Sequence, residues 1–317
     1  MIPNPKRREF QMDLMIKEFK SISSAVKDLA GENVRIERKT PVYGGDINDA
    51  WKLYLSDGSS LFMKTNSTEN FDFFRKEFNG LVLLKGTACI GVPEIYGIGR
   101  DSEENCSFLL MEFLECPYRC ENYWRIFGME LAEMHNAAYD AAQLLGTPNA
   151  KFGFYEDNYI GAGRQKNSPA DNWIAFYRDC RLLPQIKLAE RYLDSKTLVK
   201  LDGLLEHLDK YLREPTQGSI IHGDLWGGNV ITGNDEKAWL IDPAVYIGDS
   251  EADLAMTQLF GNFPAAFYQA YHEIKPISPD YKYRKPMYHL YHMLNHLNLF
   301  GRGYLGDVIS IVDYYRK

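Results

Sequence analysis

No stretch of the chain stays apolar for the ~20 residues that a membrane-spanning helix needs; the longest wholly apolar runs are a few residues. Cysteine is scarce, with five scattered through 317 residues. An odd, dispersed set is not a disulfide framework and reads as reduced thiols. Cys116 and Cys120 stand close together, but no second ligand pair lies at zinc-site spacing, so no metal is expected there. Positive charge is in deficit, with 36 Lys and Arg against 43 Asp and Glu for a net charge of −7. That excludes a global cationic footprint for nucleic acid. There are no internal repeats and no low-complexity tract, and 25 Gly and 14 Pro are ordinary numbers, which excludes collagen-like and disordered classes. Behind Met-Ile-Pro-Asn-Pro-Lys-Arg-Arg there is no apolar segment, so the expectation is no signal peptide, no membrane partner and a cytoplasmic location. Aromatics, by contrast, are plentiful: 21 Tyr and 17 Phe.

At ~150 residues per domain the length suggests about two domains. Residues 10–30 carry Phe10, Leu14, Phe19, Ile22, Val26 and Leu29 at helical spacing, with Gly31 as a stop. From Val34 to about Asn66 the pattern alternates as in strands, with Gly44-Gly45-Asp46 and Asp57-Gly58 as turns. Residues 71–85 return to helical spacing through Phe71, Phe74, Phe78, Leu81 and Leu84, and strands follow around 95–99 and 107–113. Beyond Cys120, residues 122–138, 170–193 and 197–213 carry helical stripes. A Gly- and Asp-rich block at 219–242 interrupts them, and helix resumes to the end. The expected fold is α+β with two lobes: a small antiparallel-sheet lobe over residues 1–115 and a helical lobe over 116–317.

The chemistry concentrates in the block. Ile220-Ile221-His222-Gly223-Asp224-Leu225-Trp226-Gly227-Gly228-Asn229 is followed by Asp242 at the end of Ala238-Trp239-Leu240-Ile241. Two acids and an Asn at the ends of apolar strands suit phosphoryl transfer. Asp224 would accept a hydroxyl proton, while Asn229 and Asp242 offer hard oxygens for Mg²⁺ against nucleotide phosphates. A pair of Asx turns closing two hairpins is the bland alternative for the same residues.

His-Gly-Asp-x-x-x-x-Asn with a strand-borne Asp resembles the small-molecule phosphotransferases of protein-kinase-like fold, the aminoglycoside phosphotransferase-like group. That resemblance implies ATP as cofactor and assigns further parts. Lys64 falls on the strand that carries a phosphate-pairing lysine, and Glu77 on the next helix is its ion-pair partner, with Glu69 and Asp72 as nearby rivals. Gly44 and Gly45 occupy the hairpin that covers the phosphates, and Glu112, Phe113 and Leu114 fall where a hinge offers backbone groups to adenine.

Five shorter elements look more specifically like the fructosamine/ketosamine-3-kinase family: Gly44–Asn48, Phe62–Asn66, Asp157–Gly161, His222–Trp226 and Asp253–Met256. The run Leu290–Gly301 extends the likeness, which covers about residues 25–305. It implies an ATP- and Mg²⁺-dependent kinase of the 3-hydroxyl of ketoamine sugars (ribulosamine, erythrulosamine or fructosamine adducts on a small amine or a protein lysine), with a deglycation role. Trp226, Asp157, Asn158, His292 and Asn295 are then the candidates for holding the acceptor. Trp173, Phe176, Tyr177, Tyr288, Tyr291 and Phe300 suggest an aromatic wall for a sugar's C–H faces. His135 reads as helix packing, and His222 as a brace for the loop. Gly227 stands where the family commonly has Ser, and residues 43–51 hold no Cys, so no redox switch is expected there.

Three alternatives stand beside this reading. A regulated protein kinase is opposed by Gly223 in place of an Arg, and by the short interval between Asp242 and the helical 250–260 segment. Another small-molecule kinase of aminoglycoside, choline or homoserine type differs only at the Trp226 and Asn158–Gly161 elements. A non-catalytic nucleotide-binding module would have no need of Asp224.

Overall fold

The structure is a computed structural model, and it describes residues 16–43, 47–147 and 149–315. Its first lobe is a six-stranded sheet with a helix on each face. The strands are β1 (Glu18–Phe19), β2 (Ile36–Pro41), β3 (Asp49–Leu55), β4 (Ser60–Ser67), β5 (Ile95–Asp101) and β6 (Cys106–Glu112), in spatial order β1-β5-β6-β4-β3-β2. All pairings are antiparallel except β1 with β5.

Strand alternation sorts the side chains between two layers. Leu53, Leu55, Leu61, Met63, Phe108 and Leu110 turn to one face and bury helix α1 (Ile22–Ala30) through Ile22, Ala25 and Val26. Ile98, Leu109 and Met111 turn to the other and pack with Phe71, Phe74, Phe78 and Leu81 of α2 (Phe71–Gly86). Lys64 lies one residue beyond Met63, so it shares the α2 face.

The helix expected over 10–30 is shorter. Residues 10–15 lie outside the described residues, and the chain becomes helical only at Ile22. Ser21 starts it with a capping box: its Oγ accepts from the Ser24 N–H, and the Ser24 Oγ accepts from the Ser21 N–H, each at 3.1 Å.

The second lobe is built on α3 (Tyr123–Asn136), α4 (Ala141–Leu145), α5 (Trp173–Tyr177), α6 (Leu183–Ala189), α7 (Ser195–Glu206), α8 (Glu251–Met256), α9 (Ala265–Ile274), α10 (Tyr281–Phe300) and α11 (Leu305–Tyr314). Three two-stranded ribbons are set among them: β7 (Asn158–Ile160) with β8 (Gly163–Gln165), β9 (Ser219–Ile221) with β12 (Tyr246–Gly248), and β10 (Val230–Thr232) with β11 (Ala238–Leu240).

The single helix expected over 170–193 is broken. Between α5 and α6 the turns widen to a π-helical stretch, Arg178–Leu182. Pro184 follows within the first two residues of α6, where a missing N–H does least harm. The widened turns let buried Arg181 donate to the Cys180 carbonyl (2.9 Å) and to Asn167 Oδ1 (2.7 Å). The stripe at 197–213 likewise divides, into α7 and a short 3₁₀ turn at Leu208–Lys210. No helix among the described residues is long and apolar enough to cross a membrane.

Candidate active site

A cavity of about 530 Å³ is lined by residues of both lobes, among them Lys64, Glu77, Asp224, Asn229 and Asp242. The β10–β11 ribbon sets two of them side by side. Its register pairs Val230 with Leu240, and the Ile241 N–H donates to the Asn229 carbonyl at 3.1 Å. Asn229 and Asp242 therefore end adjacent strands at the cavity. Asp242 adopts a left-handed backbone (φ 55°), a conformation that Asp tolerates better than most residues. Its carboxylate pairs with the Lys64 ammonium, which also donates to Glu77 Oε1 at 2.7 Å. Burial works against the charge on Lys64, but Asp242 and Glu77 outweigh it and push its pKa up. Burial raises the Glu77 carboxyl, Lys64 opposes that, and Asp242 adds to it. Of Glu69, Asp72 and Glu77, the three acids considered as the lysine's partner from the following segment, Glu77 is the one bonded to Lys64. Asp72 pairs with Arg75 instead.

Asp224 lies on a loop whose backbone is fixed from behind. The N–H groups of His222 and Gly223 donate to the two oxygens of buried Asp253, at 2.7 and 2.8 Å. His135 Nε2 donates to Asp253 at 3.1 Å and its Nδ1 accepts from Tyr271 Oη at 2.8 Å. Burial opposes the Asp253 charge, yet His135 and the backbone donors hold its carboxyl below the usual range. His222 braces the loop as expected. Its Nε2 donates to the Ile241 carbonyl (2.8 Å) and its Nδ1 accepts from the Asp224 N–H (3.2 Å). Gly223 is required: a Cβ there would fall 2.1 Å from the Ala244 carbonyl oxygen, and φ is 83°. Asn229 Nδ2 donates to the Asp224 carbonyl at 2.8 Å and to its Oδ2 at 3.2 Å. Burial lifts the Asp224 carboxyl to about 7. The Asn229 amide opposes this, and the charges of Asp242 and Asp253 reinforce it. A carboxylate with that affinity for protons suits general-base work near neutrality.

The remaining expectations divide. Glu112, Phe113 and Leu114 line the cavity at the end of β6. The Glu112 carboxylate is itself engaged by the Glu94 N–H at 3.1 Å. Trp226 is not core. It is 38% exposed and lines the cavity beside Asp224. Gly44 and Gly45 lie outside the described residues.

Asn158 reaches the cavity wall, but its side chain is committed: Nδ2 donates to the Val245 carbonyl, and Oδ1 accepts from Gln165 and Asn167, all at 2.8 Å. Asp157, His292 and Asn295 are not among the lining residues. Asp157 caps the Asn167 N–H at 2.7 Å. Asn295 is buried and accepts from Gln185 at 3.2 Å. His292 is buried behind Asp224, with its Nδ1 unpartnered and 4.0 Å from Asp224 Oδ1. The expected aromatic wall dissolves too. Trp173, Phe176, Tyr177, Tyr288 and Tyr291 are each no more than 2% exposed and form core, because helix packing turns them inward. Phe300 is half exposed and lies outside the cavity lining. Tyr159 is a wall residue that the reading passed over. It stacks on Phe73 of α2 (3.8 Å, 15°) and donates to Asp72 at 3.2 Å, tying the two lobes beneath the cavity. Its signal was its place inside the Asn158–Gly161 element. Asp253 opens the Asp253–Met256 element, but with Glu251 two residues before it in α8 the sequence does not single it out.

A buried Lys–Glu pair on sheet and helix, facing a loop Asp, an Asn and a strand-end Asp, defines a phosphotransferase of kinase-like fold. Macrolide 2′-phosphotransferase type I shares that fold at 14% identity (TM-score 0.58, covering 92% of this chain and 94% of that one). More specifically, the chain belongs to the fructosamine kinase family, whose profile matches residues 18–317. It is 36% identical over 290 residues to the chloroplastic protein-ribulosamine 3-kinase of Oryza sativa subsp. indica, which covers 90% of this chain and 81% of the relative. A crystal structure from Haemophilus somnus 129PT, assigned as a fructosamine-3-kinase, superposes with a TM-score of 0.80 at 28% identity, covering 93% of this chain and 96% of that one. The protein is accordingly an ATP-dependent phosphotransferase.

Proposed function

We propose that the protein is a ketosamine 3-kinase, transferring the γ-phosphoryl group of ATP to the 3-hydroxyl of a ketoamine sugar carried on a small amine or a protein lysine. The observation that carries this reading is Asp224, a carboxyl raised to about 7 at the cavity, bonded by Asn229 and set on a loop whose backbone Asp253 anchors, in a chain of this family. Asp224 takes the acceptor's proton as the oxygen attacks phosphorus. Lys64, oriented by Glu77, meets the nucleotide phosphates. Phe113 and Leu114 offer backbone groups to the adenine. Trp226 lies against an apolar face of the sugar, a role that its exposure permits.

Mg²⁺ fits the donor set. Asn229 and Asp242 supply hard oxygens, and among the described residues no cluster of three or more His, Cys, Asp or Glu forms a self-sufficient metal cage. Two protein ligands completed by phosphate and water oxygens are the usual Mg²⁺ arrangement. When bound, the ion neutralises charge on the phosphates. In the product the C3 phosphate lies β to C1, whose protons the C2 carbonyl acidifies. Enolisation then expels phosphate and leaves an imine whose hydrolysis frees the amine, which is the deglycation role.

The test is a coupled ADP-release assay with ribulosamine, erythrulosamine and fructosamine adducts beside aminoglycosides and choline. Turnover of at least one ketoamine, with phosphate recovered on O3, is expected. Turnover of none of the ketoamines would reject the substrate class.

A further inference from the structure

A chain of aromatic rings leaves the cavity and runs out over the second lobe. Trp226, in the cavity wall, meets Phe260 edge-on at 5.9 Å. Phe260 meets His296 at 4.7 Å, and His296 meets Phe300 at 5.4 Å and Tyr304 at 5.1 Å. His296 is held in line by its own helix, its Nδ1 at 2.8 Å from the His292 carbonyl oxygen. Trp226, Phe260 and Phe300 are 38, 37 and 50% exposed. Exposed rings linked in this way through half-buried His296, unlike hydrophobic side chains scattered singly, mark a binding surface. The backbone beside it is bare: a Cβ added at Gly261, Gly301 or Gly303 would meet nothing within 4 Å. The surface is therefore an open shelf and not an enclosed pocket.

What lies on the shelf follows from the substrate. A cavity of about 530 Å³ must accept the nucleotide and a sugar at Asp224. The amine of a ketosamine is attached at C1, two carbons from the reacting C3 oxygen. A large amine carrier cannot follow the sugar inward and has to lie at the mouth, where Trp226 begins the ribbon. The rings succeed one another at 4.7–5.9 Å, long enough together for several residues of extended chain at ~3.3 Å each.

Resting on the ketosamine reading, we propose that this ribbon docks the polypeptide flanking the modified lysine when the amine carrier is a protein. Trp226 serves the sugar, and Phe260 and Phe300 serve the carrier. Open aromatic faces contribute contact area without demanding a sequence, which suits an enzyme acting on lysines in varied surroundings.

The test compares one ketosugar on two carriers: methylamine, and the central lysine of a nonapeptide with apolar flanks. In a Phe260→Ser/Phe300→Ser double variant the peptide's KM should rise about tenfold with kcat unchanged, while kinetics on the methylamine adduct stay within twofold of the parent. A Phe260→Leu/Phe300→Leu variant, which keeps apolar area, should recover part of the loss. Thermal unfolding and ADP binding report whether either variant is misfolded. Equal losses on both carriers, or none on either, would overturn the proposal. So would a change in sedimentation with unaltered kinetics, which would make the ribbon a self-association surface. If the parent protein phosphorylates neither adduct, the ketosamine reading falls and this proposal with it. If it phosphorylates both and the variants do not discriminate, only the ribbon's role falls.

Discussion

Gly227 and Gly228 are neighbours with opposite expected sensitivities. At Gly228 an added Cβ would lie 2.4 Å from two atoms of the Trp226 ring, so the indole must move. At Gly227 it would meet only Phe263 Cε1, at 4.0 Å, an ordinary contact. The backbone asks for glycine at neither position, since neither has a positive φ. Because Trp226 is partly exposed, it can swing outward, and Gly228→Ala should cost less stability than the ~1–3 kcal/mol of overpacking a closed core. Its effect should fall on the acceptor. With the residue 38% exposed and about 250 Å² for a whole Trp, at most roughly 95 Å² is available to a sugar. At ~25 cal/mol/Å² that is about 2.4 kcal/mol if fully covered. Half coverage gives about 1.2 kcal/mol, near tenfold in affinity. Initial rates at saturating ATP should show the acceptor KM rising about tenfold in Gly228→Ala and less than twofold in Gly227→Ala, with ADP affinity unchanged in both. An unchanged acceptor KM in Gly228→Ala would refute the placement of Trp226. A parallel loss of ADP affinity would show instead that the substitution had disturbed Asn229. The same space accommodates Gly227→Ser, so restoring the residue common in the family should be tolerated.

Removing Lys64 leaves Glu77 and the partly exposed Asp242 without their shared cation. Lys64→Met should destabilise by about 2–3 kcal/mol, below the ~3–5 kcal/mol of a fully buried pair. Lys64→Met/Glu77→Gln should unfold at a higher urea concentration than Lys64→Met alone, and no recovery would contradict the pairing. His289 gives a pH signature. Burial holds it neutral down to about 4 while its Nε2 donates to the Ala255 carbonyl at 2.8 Å. Its folded pKa lies below the unfolded value near 6.5, so its contribution is complete above that pH. As pH falls, the unfolded chain takes up a proton that the folded one refuses, and stability drops by about 1.4 kcal/mol per unit until the pH nears 4. Urea titrations between pH 6 and 4.5 should give a shallower decline for His289→Gln, and identical slopes would contradict the assignment.

Much of this was legible in residue order because the chemistry is local in sequence. Asp224 and Asn229 share one loop, and Asp242 closes the ribbon that Asn229 opens. Lys64 and Glu77 could be paired only through the resemblance to kinase-like phosphotransferases, since Glu69 and Asp72 lie as near in the sequence. What was not legible depends on packing between distant elements. Spacing puts His292 and Asn295 on one face of α10, but not whether that face meets the cavity or the buried polar scaffold of Gln165, Asn167 and Arg181. The aromatic residues after 170 carry the periodicity of cleft wall and of core alike, and contacts between α5 and α10, such as Tyr177 against Tyr288 and Tyr291, decide for core. The loop's anchor on Asp253 joins residues 30 apart, a separation that no local pattern encodes.

The central claim is that Asp224 carries the proton of the attacking hydroxyl and does not hold the nucleotide. Asp224→Asn keeps the side chain's size and leaves the Asn229 bond to the backbone carbonyl in place. Measured side by side, phosphoryl transfer to the best ketoamine should fall by ~10²–10⁴, the usual range for a lost general base. Affinity for ADP with Mg²⁺ should stay within threefold of the parent. Turnover within tenfold of the parent, or nucleotide affinity lost in step with activity, would contradict the account.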